Sequence, residues 1–396
     1  MRTFAHTLHP PAVAPARSSF GLRLFRSALN RFLLLPFGVI LGLVWANTEP
    51  EAYFRFAHAA AFPVNEIGMA IFLALIAQEL YEALLPGGAL AAWRHRALSG
   101  FAAVGGFVGA VASYLVLVRL WHEQMLASAW PVVAAIDIAA GYYVLRLIYP
   151  RRGAAVSFLL LTAVLTDSIA ISVVSVQTPA FAVHPAGLGL LAVALASAAW
   201  MRHQRVASFW PYWLVSGTLS WASFYWMGIH PALGLVPIVP LLPHDRRAGE
   251  VFADRPDSNP VHHSEHEWNG AAQVALFLFG LANGGVMLRH FDTGTWAVLL
   301  AAVVGRPLGL MAAVALAIRA GFKLPPHFHW KDVVIVALAT TSGFTFSLFL
   351  GAATLPIGAV AEQVTLGALL TVIGAVLTFA VAWSLGVGRF KLSGAR

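Results

Sequence analysis

No cysteine occurs in the 396 residues, which excludes a disulfide framework, a thiolate metal site and a catalytic thiol. Charge is nearly as scarce. Asp, Glu, Lys and Arg make up 11% of the chain, against about 25% in a soluble domain. Hydrophobic residues fill 59% of it, and the mean hydropathy is +0.76. These values define a polytopic helical membrane protein. The alternating segments of about 10 residues that build a membrane β-barrel are missing; the apolar runs here are about 20 residues long. The net charge of +8 does not point to nucleic acid. In a membrane protein it reflects Lys- and Arg-rich cytoplasmic loops. Neither an enzyme nor a cofactor-binding protein is expected.

About twelve membrane segments can be placed, at roughly 31–47, 62–85, 98–119, 129–148, 154–176, 185–201, 206–222, 226–242, 268–288, 294–318, 332–352 and 361–386. The all-α fold is tested internally by charge. With the N-terminus inside, only Arg55, Arg119 and Arg289 fall in external loops and Arg306 within a span; all other Lys and Arg are cytoplasmic. That asymmetry obeys the positive-inside rule and puts both termini in the cytoplasm. Residues 1–30 then read as a basic cytosolic tail rather than a signal peptide, with 18–30 able to lie on the membrane as an amphipathic helix. Residues 391–396 form a second tail. The loop 243–267 carries His262, His263 and His266 beside Glu265 and Glu267. A solvated histidine-rich linker is the simpler reading there, since no secondary element fixes a metal-ligand spacing.

Segments 3–5 and 10–12 are separated by seven spans and so enter the membrane in opposite directions, as in inverted-repeat transporters. Two segments look discontinuous at corresponding places. Segment 4 reads PVVAAIDIAAGYYVL, with Asp137 among small residues. Segment 11 reads ALATTSGFTFSLFLG, with Thr340, Thr341, Ser342 and Gly343 in mid-span. Unwound backbone at membrane depth must be buried in protein or line a cavity. Small and hydroxyl residues that merely let helices pack closely are the alternative.

Of the 17 acids only Asp137 and Asp167 sit deep within spans. An intramembrane carboxylate is a functional-site hypothesis by default. It can hold a hard cation through its oxygens, or be neutralised by a proton, and one site that alternates between the two is the minimum chemistry for antiport. Thr166 and Ser168 flank Asp167 as neutral oxygen donors; adjacent helix residues diverge by about 100°, so only one of them shares its face. Arg306, in VVGRPLGLM, is a permanent buried cation. Its counter-charge must come from Asp137, Asp167 or helix C-terminal carbonyls, and a purely structural salt bridge is one reading of it. His230 reads as a hydrogen-bonded structural histidine, and Asn283 as a packing or turn residue.

Seven stretches together resemble one family: NEIGMAIFLALIAQEL (65–80), AAIDIA (134–139), FLLLTAVLTDSIAI (158–171), GIHPALG (228–234), LFLFGLANGGV (276–286), GRPLGL (305–310) and SGFTFSLF (342–349). The chain is similar to the bacterial Na+/H+ antiporter A (NhaA-type) family over about residues 62–390, as a divergent member. The resemblance implies a single transporter domain over 31–390. It has an ion-binding bundle (about 98–176 and 294–386) with broken helices 4 and 11 crossing. A dimer-forming panel accompanies it (about 31–85 and 185–288). The implied activity is exchange of Na+ or Li+ for protons across the inner membrane, with Asp167 holding the cation, Asp137 and Arg306 offsetting helix ends, and a homodimer embedded in lipid. Two departures stand out. The family's adjacent aspartate pair is here Thr166-Asp167, or Asp167-Ser168 if the preceding loop is not shortened by one residue. Its segment 10 lysine is Arg306. Glu79 matches an acid of the family's pH-sensing region, but Tyr81 and Glu82 stand where a basic pair follows. One carboxylate fewer favours an electroneutral cycle. A transport-inactive sensor or assembly protein, and a sodium-coupled organic-anion carrier with Arg306 holding the carboxylate, are the alternatives.

Overall fold

The computed structural model describes residues 34–84, 93–149, 154–177, 184, 186–206, 208–242, 273–325, 327–356 and 358–390. The expected tails 1–30 and 391–396, the histidine-rich loop, and the side chains of Glu79 and Glu82 lie outside what is described.

The described residues are helical throughout, without strands. The helices are α1 (Leu34–Thr48), α2 (Pro50–Ala61), α3 (Met69–Leu84), α4 (Trp93–Leu120), α5 (Ile138–Ile148), α6 (Ala154–Gln177), α7 (Ala186–His203) and α8 (Thr218–Met227). They continue with α9 (Gln273–Asn283), α10 (Thr293–Leu300), α11 (Arg306–Arg319), α12 (Trp330–Ala339), α13 (Phe344–Thr354), α14 (Ala359–Leu370) and α15 (Ile373–Ser384). Among the described residues six helical runs are long and apolar enough to cross a membrane. The pair α12 and α13, bent by 46° at its break, makes a seventh. α1, α9 and the turns of Pro231–Leu241 are apolar but shorter than a span. The link 48–61 has no turn signal in its sequence, and it folds as α2. Pro50 suits a helix start because its missing N–H would be unpaired there anyway. α2 runs on through a π-helical turn, Phe62–Gly68, into α3.

α4 and α11 pack through glycines. A Cβ on Gly105 would lie 2.5 Å from the Gly309 carbonyl oxygen, and one on Gly109 would lie 2.5 Å from that of Gly305. Small residues four apart on both helices let the backbones touch, which is how helices associate where lipid removes the hydrophobic drive. Two of the apolar clusters include residues of α4. Leu98 of α4, Leu145 and Ile148 of α5, Leu159 of α6, Val314 of α11 and Val333 of α12 pack at one end. Tyr114 and Val118 of α4, Leu126, Val298 of α10 and Val364 of α14 pack at the other. Ala134 and Ala135, in the interruption before α5, pack in a third cluster with Phe72 and Leu73 of α3 and Phe346 and Phe349 of α13. A separate cluster joins α3, α7 and the Val236–Leu241 turns.

Candidate functional site

The first interrupted helix starts as a 3-10 stretch, Gln124–Val133. Pro131 within it cannot donate a backbone hydrogen bond and disfavours a regular α-helix. The chain then runs without regular structure through residues 134–137, and α5 begins. Asp137 is the N-cap of α5, and its Oδ1 accepts from the Ala140 N–H at 2.9 Å. The second interrupted helix is α12, which ends at Ala339 with Thr340 as its C-cap, followed by α13 from Phe344.

The two breaks meet. The Asp137 N–H donates to the Ser342 carbonyl at 2.8 Å. Gly343 is needed at the contact, since a Cβ there would stand 2.8 Å from the Ala135 carbonyl oxygen. Asp137 Oδ2 accepts from the Thr345 hydroxyl at 2.5 Å, so one carboxylate sits at the first turns of both α5 and α13, where unpaired N–H groups make the ends positive. Arg306 does the reverse. Its Nη1 donates to the Thr340 carbonyl at 2.9 Å and its Nη2 to the Val133 carbonyl, at the ends of the two preceding helical pieces. Both hydrogen bonds go to carbonyl oxygens. These helix-end carbonyls are one of the counter-charges left open by the sequence. A π-helical turn, Ala301–Gly305, precedes Arg306.

Asp167 lies on the third element of the cluster, α6, and is 1% exposed. Its Oδ1 accepts from the Ile136 N–H in the first break at 2.9 Å, while its Oδ2 has no hydrogen-bond partner. Thr166 is fully buried and donates to the Thr162 carbonyl at 2.8 Å. Ser168, only partly buried, donates to the Val164 carbonyl at 2.8 Å. Both hydroxyls keep their lone pairs. Thr340 and Thr341 return their hydroxyls to Ala337 and Leu338 at 2.7 Å each, and the Thr341 side chain packs on Gly374.

Sequence reasoning brought Asp137, Asp167, Arg306 and the 340–343 stretch to one place, and the structure puts them there. It missed Thr371, whose hydroxyl accepts from the Gly343 N–H at 3.2 Å and donates to Ala368 at 2.6 Å. The only signal was a lone hydroxyl in GALLTVIGAV. It also missed the backbone partners Val133 and Ile136, which no side chain announces. His230 stands apart from this cluster. Its Nδ1 accepts from the Ala232 N–H at 3.3 Å and lies 3.6 Å from Glu66 Oε2, and its ring packs edge-on against Phe349. Asn283 exchanges amide hydrogen bonds with Asn65 across α9 and the Phe62–Gly68 turn.

Two interrupted helices touching at their breaks, with opposite charges on the bared helix ends and a half-satisfied carboxylate beside them, belong to a multi-pass membrane carrier rather than to an inert bundle. The comparisons name the kind. A family model described as Na+/H+ antiporter 1 matches residues 23–384, and the chain belongs to that family. It is 36% identical over 368 residues to the Na(+)/H(+) antiporter NhaA of Desulfitobacterium hafniense, covering 90% of this chain and 95% of that one. It is 36% identical over 356 residues to the NhaA of Geobacter metallireducens, covering 87% and 93%. In structure it resembles the sodium proton antiporter MjNhaP1 of Methanocaldococcus jannaschii at pH 8. The TM-score is 0.51 at 14% identity, over 92% of this chain and 95% of that one, a likeness of fold alone.

Proposed function

We propose that the chain is a secondary antiporter exchanging Na+ or Li+ for protons across a bacterial inner membrane. The observation that carries this reading is Asp167: a carboxylate 1% exposed, held by one backbone N–H, with its second oxygen unpartnered. An unpaired oxygen on a buried carboxylate is costly unless something occupies it. A cation and a proton are the two candidates, and exchange follows if Asp167 takes each from opposite sides by alternating access. Thr166 or Ser168 assists with a neutral oxygen. Asp137 and Arg306 neutralise the four helix ends and do not move with the cargo. The scaffold is a twelve-helix inverted repeat with both termini cytoplasmic, and the panel about 31–85 and 185–288 carries the homodimer contact in lipid. Glu79 and Glu82 are the pH-sensing positions.

With one deep carboxylate at the cation site, one proton replaces one cation and the cycle is electroneutral. Family membership and the open Asp167 oxygen disfavour a transport-inactive sensor. Family membership likewise disfavours the anion-carrier alternative. The test is a proteoliposome assay of wild type against Asp167→Asn with Na+, Li+ and K+. Cation-driven proton flux in wild type, lost in the variant while the protein remains folded, is expected. A wild type with no flux at high Na+ and alkaline pH sinks the reading. A transport current that reverses with membrane potential sinks the stoichiometry alone.

A further inference from the structure

Buried polar atoms without hydrogen-bond partners are few among the described residues, and two of them, Asp167 Oδ2 and Arg306 Nε, belong to the centre already described. A third is Thr162 Oγ1, on α6 with Asp167 and fully buried. A Ser or Thr inside a helix commonly returns its hydroxyl to the carbonyl one turn back. Thr166, Ser168 and Ser172 on this helix all do, at 2.8, 2.8 and 2.7 Å. Thr162 does not. It stands one turn before Thr166 on the same face, and its own carbonyl receives the Thr166 hydroxyl. Along α6 the uncommitted Thr162 hydroxyl therefore stands one turn before the acceptor side of Thr166, which itself adjoins Asp167 in the chain.

If Thr162 only filled space, valine would serve better. It has the same shape and leaves no orphaned hydroxyl, and a buried unpaired polar group opposes folding. A group that costs stability and lies beside a working centre is the usual mark of a functional compromise. In the topology proposed above, α6 starts at the cytoplasmic surface, so Thr162 stands between that surface and Asp167. A hard cation shedding water needs oxygen ligands, and a neutral hydroxyl holds it without trapping it.

We propose that Thr162 is a further cation-recognition residue, whose hydroxyl oxygen receives the partly dehydrated Na+ or Li+ on its way between the cytoplasm and Asp167. The proposal rests on the antiport reading. Its test measures cation-driven proton flux in proteoliposomes with Na+ presented to the cytoplasmic face, for wild type, Thr162→Val, Thr162→Ala and Thr162→Ser. Removing one neutral hydrogen-bond-scale contact raises the apparent KM for Na+ roughly threefold to tenfold in the two oxygen-free variants. The maximal rate holds, Thr162→Ser stays near wild type, and the melting temperature of Thr162→Val equals or exceeds that of wild type. A KM for Thr162→Val and Thr162→Ala equal to wild type overturns the role. So does a Thr162→Ser as impaired as Thr162→Val, which would assign the effect to shape. Those results leave antiport standing, whereas a wild type without flux overturns both.

Discussion

The two interrupted helices solve one problem with different chemistry. Each exposes a backbone N–H at its break to a neighbouring helix. In the first break the Ile136 N–H is received by a carboxylate, Asp167, and in the second the Gly343 N–H is received by a hydroxyl, Thr371. The shared parts are Asp137 at the two positive ends and Arg306 at the two negative ones. Compensation of the helix ends is thus even-handed, and ionic capacity is one-sided. The backbone crossing provides a place for charge, and only the α6 side fills it with a group that can be left half-occupied.

The largest effect on the shared frame comes from Arg306. Replacing it by methionine keeps the volume but orphans the Thr340 and Val133 carbonyls and removes the buried cation whose charge acts on Asp167. Breaking such a buried charge arrangement costs about 3–5 kcal/mol. Arg306→Met is expected to melt far below wild type in detergent or to fail to accumulate. Arg306→Lys should fall between, because an ammonium is a point charge and reaches two diverging carbonyls less well than a planar fork. Equal melting temperatures for the three proteins would show that the helix ends need no neutralising cation.

How far this centre was legible follows from where each signal resides. Asp137, Asp167 and Arg306 stand out because charge in an apolar run is rare. The run Thr340–Gly343 stands out because three hydroxyl residues and a glycine interrupt a span. What answers Arg306 did not stand out, since a carbonyl oxygen has no letter of its own. Both aspartates and the helix ends were open from the sequence, and the hydrogen bonds of the two Arg306 Nη atoms go to the ends. The 3-10 character of Gln124–Val133 was hidden for a similar reason: LASAWPVV is as apolar as an α-helical span, and only Pro131 hints otherwise. Span count is the least resolved reading: among the described residues six helical runs, or seven with the bent pair, are long and apolar enough to cross a membrane.

Thr371 tests the neutral half of the comparison. Thr371→Val leaves the buried Gly343 N–H unpaired and should destabilise by about 1–3 kcal/mol, read as a lower melting temperature with an unchanged KM for Na+. Thr371→Asp sharpens the contrast by giving the second break a carboxylate as well. If the two breaks differ only in that group, the variant gains a voltage-dependent transport current that wild type lacks. An electroneutral Thr371→Asp would mean the capacity of the site is set elsewhere than at the N–H acceptors.

Asp137 should cost less than Thr371. Asparagine is as good an N-cap as aspartate; with its oxygen on the Ala140 N–H, its amide nitrogen donates to the Thr345 hydroxyl in place of accepting from it, so Asp137→Asn keeps the contacts, reverses one of them and removes the charge facing two helix N-termini. That charge is worth up to about 2 kcal/mol in a partly buried setting. The expected result is a modest drop in melting temperature with antiport retained at reduced rate. Complete loss of flux in a protein that melts like wild type would make Asp137 a carrier of cargo, and the division of labour between the two aspartates would have to be redrawn.

The smallest effect separates the two neighbours of Asp167. Thr166 is fully buried and Ser168 only partly so. Each hydroxyl is already tied to its own helix at 2.8 Å, so neither substitution orphans anything but a carbonyl that also accepts within the helix. Ser168→Ala should therefore shift stability by less than about 0.5 kcal/mol and leave the KM for Na+ where it was. Thr166→Val removes an oxygen from the buried face next to the open Asp167 oxygen, and its KM should rise while its stability does not fall. The order matters beyond its size. If Ser168→Ala raises KM and Thr166→Val does not, the cation approaches from the half-exposed side of α6, and the second aspartate of the family would correspond to Ser168 rather than the first to Thr166.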